Sequence, residues 1–345
     1  MLTVRKESSP LIEVDVGSEI QAVAFTANGE YIVGGGAKGL GVWRVEDGKQ
    51  MATMAARDVQ CLAVSQDGRW IAAKTGNGEV SVWDTETFEK VFSDKNDHNI
   101  FAVDFSTRLL VGTFNATVVW DVPTGKKVLT LKQGTRVAKY SPQGDRIATA
   151  TRDSVRVWDS NDGRLLVHIP VEVTPWFNTG LLWLNNHLFV VSGSAIKQLE
   201  ASTGSTVSEW PVPSSDRHSC IALPQHGKLI AYSTNDIVTL WDTSTHAQLA
   251  LIQHPPRIYS ISLSPDDRFL AISGRRGKIT IRSVFRIIVS IVSLWIMANL
   301  TLAFPNRIQF HCLVCIPLSR SLSFRSTTLR SIHGNTISSR PRSRY

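Results

Sequence analysis

The sequence has one pattern that could bind a phosphate group, and its surroundings argue against that use. Residues 34–39 (GGGAKG) fit G-x-G-x-x-G, which holds a pyrophosphate where a strand leads into a helix. In this chain the pattern lies between two apolar alternating runs, so it has no helix N-terminus to offer. We interpret it as a turn between strands. The longer phosphate-loop, H-E-x-x-H and G-x-S-x-G patterns are absent from the sequence.

Metal binding has equally little support. Cys312 and Cys315 form one C-x-x-C pair, with His311 beside it and His333 further along. Structural zinc takes four ligands, usually with a second pair at a set spacing, and no second pair follows. We therefore predict no metal site and no cofactor.

The remaining thiols and carboxylates do not predict catalysis either. Cys61 and Cys220 lie in apolar alternating runs, where a small core residue is the simpler interpretation. The paired carboxylates at 46–47 and 266–267 fall in chain reversals, where solvent reaches both groups, whereas acid–base catalysis needs one carboxyl shielded from water. Four cysteines without an evident pairing also indicate a reducing compartment.

Composition and charge describe a folded body followed by a different tail. The 345 residues are 43% hydrophobic and 19% charged, with ten tryptophans, which excludes disorder throughout the chain. The net charge of +8 arises at one end, because residues 268–345 contain 13 Lys and Arg and no Asp or Glu. The body therefore shows no electrostatic sign of nucleic-acid binding. The first residues lack an apolar signal segment, so we expect a cytoplasmic protein, with the nucleus as an alternative.

A tryptophan preceded by Val or Leu returns with a period of about 40 residues. The copies are Trp43, Trp83, Trp120, Trp158 and Trp241. The last gap is 83 residues, about two periods, and the midway copy carries Leu199 in the Trp place. A further copy after Trp241 carries Arg282 there, so the sequence contains seven units.

Each unit has the same order of apolar runs and polar turns. In the first unit, the run 22–25 is followed by the turn 26–29, the run 31–35 and the Trp-containing run 41–43. Pro, Gly and Asx residues in the turns favour tight reversals. No segment from 11 to 283 has a sustained 3.6-residue apolar stripe, so we predict an all-β fold.

These residues resemble the WD-repeat β-propeller family, and the degenerate copies are similar to those of fungal WD-repeat proteins. The resemblance covers residues 11–283 and implies a seven-bladed propeller. The seventh unit has only three strands, whereas residues 11–16 form an extra alternating run before the first unit. We predict that this N-terminal strand completes the seventh blade. The family's Gly-His dipeptide is missing, with only His98, His218 and His254 near its place.

The resemblance also implies which loops face partners. In this family, the loops before the first strand and between the second and third strands share one end of the channel. Position by position, that end carries a candidate partner-binding rim of Lys38, Arg136, Arg152, Arg257, Arg275 and Arg276, together with Asp58, Asp153 and Asp236. Arginines of this kind can grip an acidic or phosphorylated peptide, although an ordinary solvated rim is the alternative. Trp70, Trp176 and Trp183 lie outside the repeat position and serve either as interface anchors or in packing between blades.

The chain from residue 284 to 345 is predicted to be an irregular, basic, Ser/Arg-rich tail, and residues 1–10 a flexible N-terminus. Residues 287–304 form a mostly apolar run. Three interpretations remain open: a membrane anchor, a disordered extension that touches anionic lipid or nucleic acid, and a non-native coding segment. The abrupt loss of acidic residues favours the third.

The sequence favours a non-enzymatic scaffold that presents propeller loops to protein or peptide partners, some of them acidic. We expect a monomer or a member of a larger complex, with no specific nucleic acid bound by the propeller. One alternative is a channel-centred enzyme, a hydrolase or a quinoprotein-like oxidoreductase, because residues 200–210 resemble a segment of quinoprotein dehydrogenases. The other is an adaptor tethered to a membrane through 287–304.

Overall fold

The computed structural model describes residues 10–95, 100–174, 180–213, 219–224, 227–255 and 257–289. The 28 strands in these residues form seven four-stranded antiparallel sheets. The first strands of neighbouring sheets contact one another in a closed series, from β2 through β6, β10, β14, β18, β22 and β26 back to β2. The sheets are therefore the blades of a seven-bladed propeller, which confirms the predicted fold class.

The strand bounds follow the predicted units. Blades one to three contain β2 (Ile20–Phe25), β3 (Tyr31–Gly36), β4 (Gly39–Arg44) and β5 (Gln50–Met54); β6 (Val59–Val64), β7 (Trp70–Thr75), β8 (Glu79–Asp84) and β9 (Lys90–Lys95); β10 (Ile100–Phe105), β11 (Leu109–Thr113), β12 (Thr117–Asp121) and β13 (Lys126–Leu131). Blades four and five contain β14 (Val137–Tyr140), β15 (Arg146–Ala150), β16 (Ser154–Asp159) and β17 (Leu165–Pro170); β18 (Leu181–Leu184), β19 (His187–Ser192), β20 (Ala195–Glu200) and β21 (Thr206–Pro211). Blades six and seven contain β22 (Cys220–Ala222), β23 (Leu229–Ser233), β24 (Ile237–Asp242) and β25 (Gln248–Gln253); β26 (Ile258–Leu263), β27 (Phe269–Gly274), β28 (Lys278–Ser283) and, from the start of the chain, β1 (Ile12–Asp15).

The N-terminal strand closes the ring as predicted. β1 pairs antiparallel with β28, with Val14 opposite Ile279. Backbone bonds from Leu11 N to Ile281 O and from Val16 N to Gly277 O, each 2.8 Å, extend the ladder at both ends. Without β1, the outer edge of β28 would have no hydrogen-bonding partner, and an unpaired strand edge is a site for aggregation.

The register places the repeat residue identically in the blades. Trp43 lies opposite Ile32, Trp83 opposite Ile71, and Leu199 opposite Leu188. Arg282 lies opposite Leu270 in the same place of blade seven, where it is only 3% exposed. In blades one to six the pairing of the third and fourth strands shifts register immediately before this residue. The shift is a β-bulge, which bends the outer strand at the same point each time.

Apolar packing connects each blade to the next. Seven clusters of buried residues occupy the junctions of the described blades, one cluster for each junction. The repeat tryptophans pack toward the preceding blade; Trp83, for example, lies in the cluster between blades one and two. Trp43, Trp83, Trp120 and Trp241 are buried. Trp158, predicted from the pattern to be equivalent, is only partly buried and rests on the edge of its cluster.

The aspartate that follows most of the tryptophans caps the next turn. In blade six, Asp242 Oδ1 accepts hydrogen bonds from Ser244 Oγ at 2.6 Å and from Thr245 N at 2.8 Å. Asp84 and Asp159 accept backbone N–H groups at the same place in their blades. These donors stabilise the ionised carboxylate, which explains why Asp suits this position in the repeat.

We expect the Asp242 carboxyl to titrate near pH 2. The Ser244 hydroxyl, followed by the backbone N–H of Thr245, lowers its pKa from 3.8 to about 2. Because the folded pKa lies below the unfolded one, this carboxylate stabilises the fold fully above about pH 4 and loses that contribution as the pH falls toward 2. A carboxyl ¹³C NMR titration measures this directly. A midpoint near 4 would show that the turn does not hold the charge.

β28 ends at Ser283, the predicted end of the propeller. Residues 284–289 then form a helical turn, where the sequence predicted an irregular tail to begin. Val284 and Ile287 are buried in the cluster of blades six and seven. An apolar spacing of three residues in one turn explains this packing. Most of the predicted apolar run, 290–304, and the remaining tail lie outside the described residues, as do residues 1–9.

Candidate interaction surface

Two sets of turns occupy opposite ends of the propeller. Because the strands of a blade alternate in direction, the turn before the first strand and the turn between the second and third strands lie at one end. We call this the upper end. The turns between the first and second strands and between the third and fourth strands form the lower end. Bonds such as Arg275 N to Arg257 O (3.1 Å) join the two kinds of upper turn.

The six cations predicted from the sequence all lie at the upper end and are exposed. They are Lys38, Arg136, Arg152, Arg257, Arg275 and Arg276. Arg275 forms an ion pair with Glu19, with Nε and Oε1 3.4 Å apart. The other five make no ion pair among the described residues. The structure nevertheless divides the six into two groups, because they belong to different sectors of the ring.

Four of the cations gather where blade seven meets blade one. We call Lys38, Arg257, Arg275 and Arg276 the closure cluster. Arg257 and Arg275 are joined through their backbones, and a Cβ built on Gly17 would lie 3.4 Å from Lys38 Nζ. Lys38 and Arg275 thus flank the short segment that leads from β1 to β2. Arg257 has a left-handed backbone, φ 68°, which fixes the course of the chain at this point.

Arg136 and Arg152 lie three blades away, on the other side of the channel. Arg136 N donates to Ala150 O at 3.0 Å, and Val173 N donates to Arg152 O at 2.8 Å. These bonds place the two arginines beside the turns of blades four and five. The candidate rim therefore consists of two separate groups of cations, in different sectors of the ring.

The three predicted aspartates at the upper end accept hydrogen bonds from side chains of their own blades. Asp153 Oδ1 accepts a bond from Thr151 Oγ1 at 2.7 Å, and this hydroxyl lowers the pKa of Asp153. Asp236 Oδ2 accepts a hydrogen bond from Gln253 Nε2 at 3.0 Å, and Asp58 Oδ2 accepts one from Gln60 Nε2 at 3.3 Å. Among the described residues, none of the three forms an ion pair with a closure-cluster cation.

Sequence reasoning missed three exposed residues at the upper end. Phe114, in the turn between β11 and β12, is 71% exposed, more than the other large apolar side chains that the structure describes as exposed. Arg57 and Lys132 precede β6 and β14 and are also exposed. An aromatic residue in a turn, outside the alternation of both flanking strands, was the signal for Phe114.

The other sequence candidates are structural. Trp70 and Trp183 are buried in blade junctions, so they pack between blades and do not anchor an interface; Trp176 lies outside the described residues. Cys61 is buried, and burial raises the pKa of its thiol to about 11, which keeps it protonated at neutral pH. Cys220 is buried as well, as predicted.

Clustered metal ligands and membrane-spanning helices are absent from the described part of the chain. No group of three or more His, Cys, Asp or Glu is arranged there to hold a metal ion. None of the described residues belongs to an apolar helix of membrane-spanning length. The candidate zinc ligands at 311, 312, 315 and 333 lie outside the described residues.

Comparison with known proteins places the repeat in a family. Residues 48–84, which run from the turn before β5 through β8, match the family model described as "WD domain, G-beta repeat". The chain is similar to eukaryotic translation initiation factor 3 subunit I of Bombyx mori, with 27% identity over 51% of this chain and 59% of that protein. It is also similar to protein tipD of Dictyostelium discoideum, with 26% identity over 42% of this chain and 26% of that protein. A third relative is WD repeat-containing protein SL1-17 of Schistosoma mansoni, with 28% identity over 36% of this chain and 45% of that protein. The chain thus matches between about a quarter and three-fifths of the length of these relatives.

The fold has a counterpart among solved structures. A chain of the crystal structure of the mitotic checkpoint complex superposes with a TM-score of 0.66, over 82% of this chain and 98% of that one, at 18% identity. At this identity the likeness concerns the fold alone. With the matched repeat, the WD-repeat relatives and seven blades sealed by an N-terminal strand, the chain is a WD-repeat β-propeller.

Proposed function

We propose that this protein is a non-enzymatic interaction scaffold whose closure cluster binds an acidic segment of a partner protein. The observation that carries the proposal is that four exposed cations meet at one blade junction, where Glu19 is the one described carboxylate that forms an ion pair with them. Arginine binds carboxylates and phosphates through two parallel N–H bonds, so three arginines side by side favour an acidic or phosphorylated ligand.

The comparisons support an assembly role in general terms. One relative is named as a subunit of a translation initiation factor, that is, as a member of a multiprotein assembly. Propellers bind partners through loops on a rigid scaffold, and here the loops of the closure cluster are held by backbone bonds. A cytoplasmic location belongs to the same proposal.

Neutralising two closure-cluster arginines should weaken the binding of an acidic peptide. We expect Arg275→Gln/Arg276→Gln to weaken a fluorescein-labelled Asp/Glu-rich decapeptide by about tenfold at 50 mM salt, because each exposed charge contact contributes up to about 1 kcal/mol. Fluorescence anisotropy measures the affinity. Raising the salt to 300 mM should reduce the difference between the proteins.

The matched control is Arg69→Gln/Arg268→Gln, which removes the same charge from exposed arginines at the lower end. This variant should bind within twofold of the unmodified protein. Equal weakening in both variants would mean that the peptide responds to net charge alone. That result, or the absence of binding by the unmodified protein, would contradict the proposal.

A further inference from the structure

A groove opens at the lower end between blades one and two. Its volume is about 390 Å³, within the range of sites that hold small ligands. The floor contains Val42 and Ile71, which are buried members of the junction cluster. Tyr31, Met51 and Phe88 form its walls. Val42 and Ile71 are only 3% and 1% exposed, so the apolar surface that the groove offers belongs to its walls.

Phe88 is the residue that sets this junction apart. It has a left-handed backbone, φ 56°, which is costly for a bulky side chain. Blades one, three, four and five have Gly at the same place of the turn (Gly48, Gly125, Gly163 and Gly204). A Cβ on Gly163 or Gly204 would lie within 3 Å of the preceding blade's outer strand, so those turns approach that strand closely.

Blade six also has a large residue at this place of the turn. His246 takes the same left-handed conformation, φ 56°, and stacks on Trp210 of blade five at 4.4 Å between ring centroids. Phe88 is partly buried and packs against the cluster of blades one and two, which contains Met54, the register equivalent of Trp210. Met51 lies in the same outer strand, lines the groove with Phe88 and is 41% exposed, so this strained turn borders an exposed apolar side chain.

The charged residues that line the groove are both acidic, and the Arg44 guanidinium contacts its wall at Met51 Sδ (3.5 Å). Asp67 and Glu86 are the charged residues in its lining, and both are exposed. Asp67 Oδ1 accepts the Arg69 backbone N–H at 3.0 Å and the Ser65 hydroxyl at 2.5 Å, and Asp67 makes no ion pair with a described residue. The Glu86 carboxylate makes no ion pair with a described residue. Asp67 comes from the inner turn and Glu86 from the outer turn of blade two, so the two carboxylates flank the apolar floor.

We propose that this groove binds an extended segment of a partner protein in which apolar side chains are flanked on both sides by Lys or Arg. The lining runs from the turns after the first strands to the outer strand of blade one, across four strands or about 14 Å. An extended chain of four to five residues covers that distance at about 3.3 Å per residue. The apolar side chains pack on the walls formed by Tyr31, Met51 and Phe88, and the basic residues face Asp67 and Glu86. This site is independent of the closure cluster.

Methionine methyl NMR tests the proposal on the full chain. Met51 lines the groove, whereas Met54, three residues later, is 2% exposed and serves as an internal control. The probe is the synthetic peptide Gly-Arg-Leu-Leu-Arg-Gly. It should shift the ¹³C-methyl signal of Met51 in a saturable manner and leave that of Met54 unchanged, whereas Gly-Glu-Leu-Leu-Glu-Gly and Gly-Arg-Gly-Gly-Arg-Gly should shift neither.

Two double variants test whether the carboxylates of the groove recognise the basic residues of the peptide. Asp67→Asn/Glu86→Gln should lower the affinity for the peptide about tenfold, because the loss of each charge pair lowers it about threefold. The control Asp266→Asn/Glu46→Gln changes the same turn positions in blades seven and one and should bind as the unmodified protein does. An unmoved Met51 signal at millimolar peptide would overturn the proposal. So would equal binding of the Glu-flanked peptide, or a Met51 shift that depends on protein concentration alone and so reports a second copy of the chain.

Discussion

Removal of residues 1–16 is expected to lower the melting temperature by more than about 10 °C or to make the protein aggregate. The deletion removes β1, and with it Val14 and the partly buried Ile12 and Val16 from the junction of blades seven and one. Burial of each such side chain contributes about 1.5–3 kcal/mol. For a protein of this size each kcal/mol corresponds to about 2–4 °C.

The exposed edge of β28 is the second consequence of the deletion, and it favours aggregation. β28 would present unpaired backbone groups and the side chains of Ile279 and Ile281, which are fully buried in the intact ring. Such an edge pairs readily with another chain. Differential scanning fluorimetry and light scattering measure the two consequences.

The control deletion removes residues 1–9, which leaves Ile12–Asp15 in place. It should melt within about 2 °C of the full chain, since it removes none of the β1–β28 ladder. Equal melting of the two deletions would show that the N-terminal strand does not seal the ring.

Trp83→Ala is expected to destabilise the protein by about 3–5 kcal/mol. The Trp83 side chain is 2% exposed and packs among Val33, Val42 and Ile71 at the junction of blades one and two. Replacing it with Ala leaves a cavity between two rigid sheets, which cannot collapse without shifting a blade. Urea unfolding followed by circular dichroism measures the change in the free energy of unfolding.

Trp158→Ala is the matched comparison and should cost about 2 kcal/mol. Its ring is only partly buried, although Trp158 Nε1 donates to Thr149 Oγ1 at 2.8 Å. The loss is therefore one hydrogen bond and a smaller apolar area. If the two variants lower the free energy of unfolding equally, burial between blades does not determine how much the repeat tryptophan contributes to stability.

The repeat made most of the fold predictable. A Trp every 40 residues, with Asx-rich turns between alternating runs, is local information, and it defined the blades and the closing strand. The substitutions in the Trp place were also visible, since Leu199 and Arg282 keep the register of the other copies. The partial exposure of Trp158 was not visible in the sequence, because it depends on the neighbouring blade rather than on its own repeat.

The sites were predictable only in part, for geometric reasons. The sequence placed the six cations at one end, but their division into two patches follows from their sectors in the ring. The groove could be predicted only in part. The sequence shows Phe88 where four other repeats have Gly, but the position of this turn beside Met51 of another blade depends on the fold.

Hydrogen–deuterium exchange of the full chain, read by mass spectrometry, tests the sealed ring most directly. The peptides that contain Ile12–Asp15 and Lys278–Ser283 should be protected together, to a degree similar to that of the inner strand Ile20–Phe25. Exchange of Ile12–Asp15 at the rate of an unstructured peptide, while Ile20–Phe25 stays protected, would contradict the closed propeller.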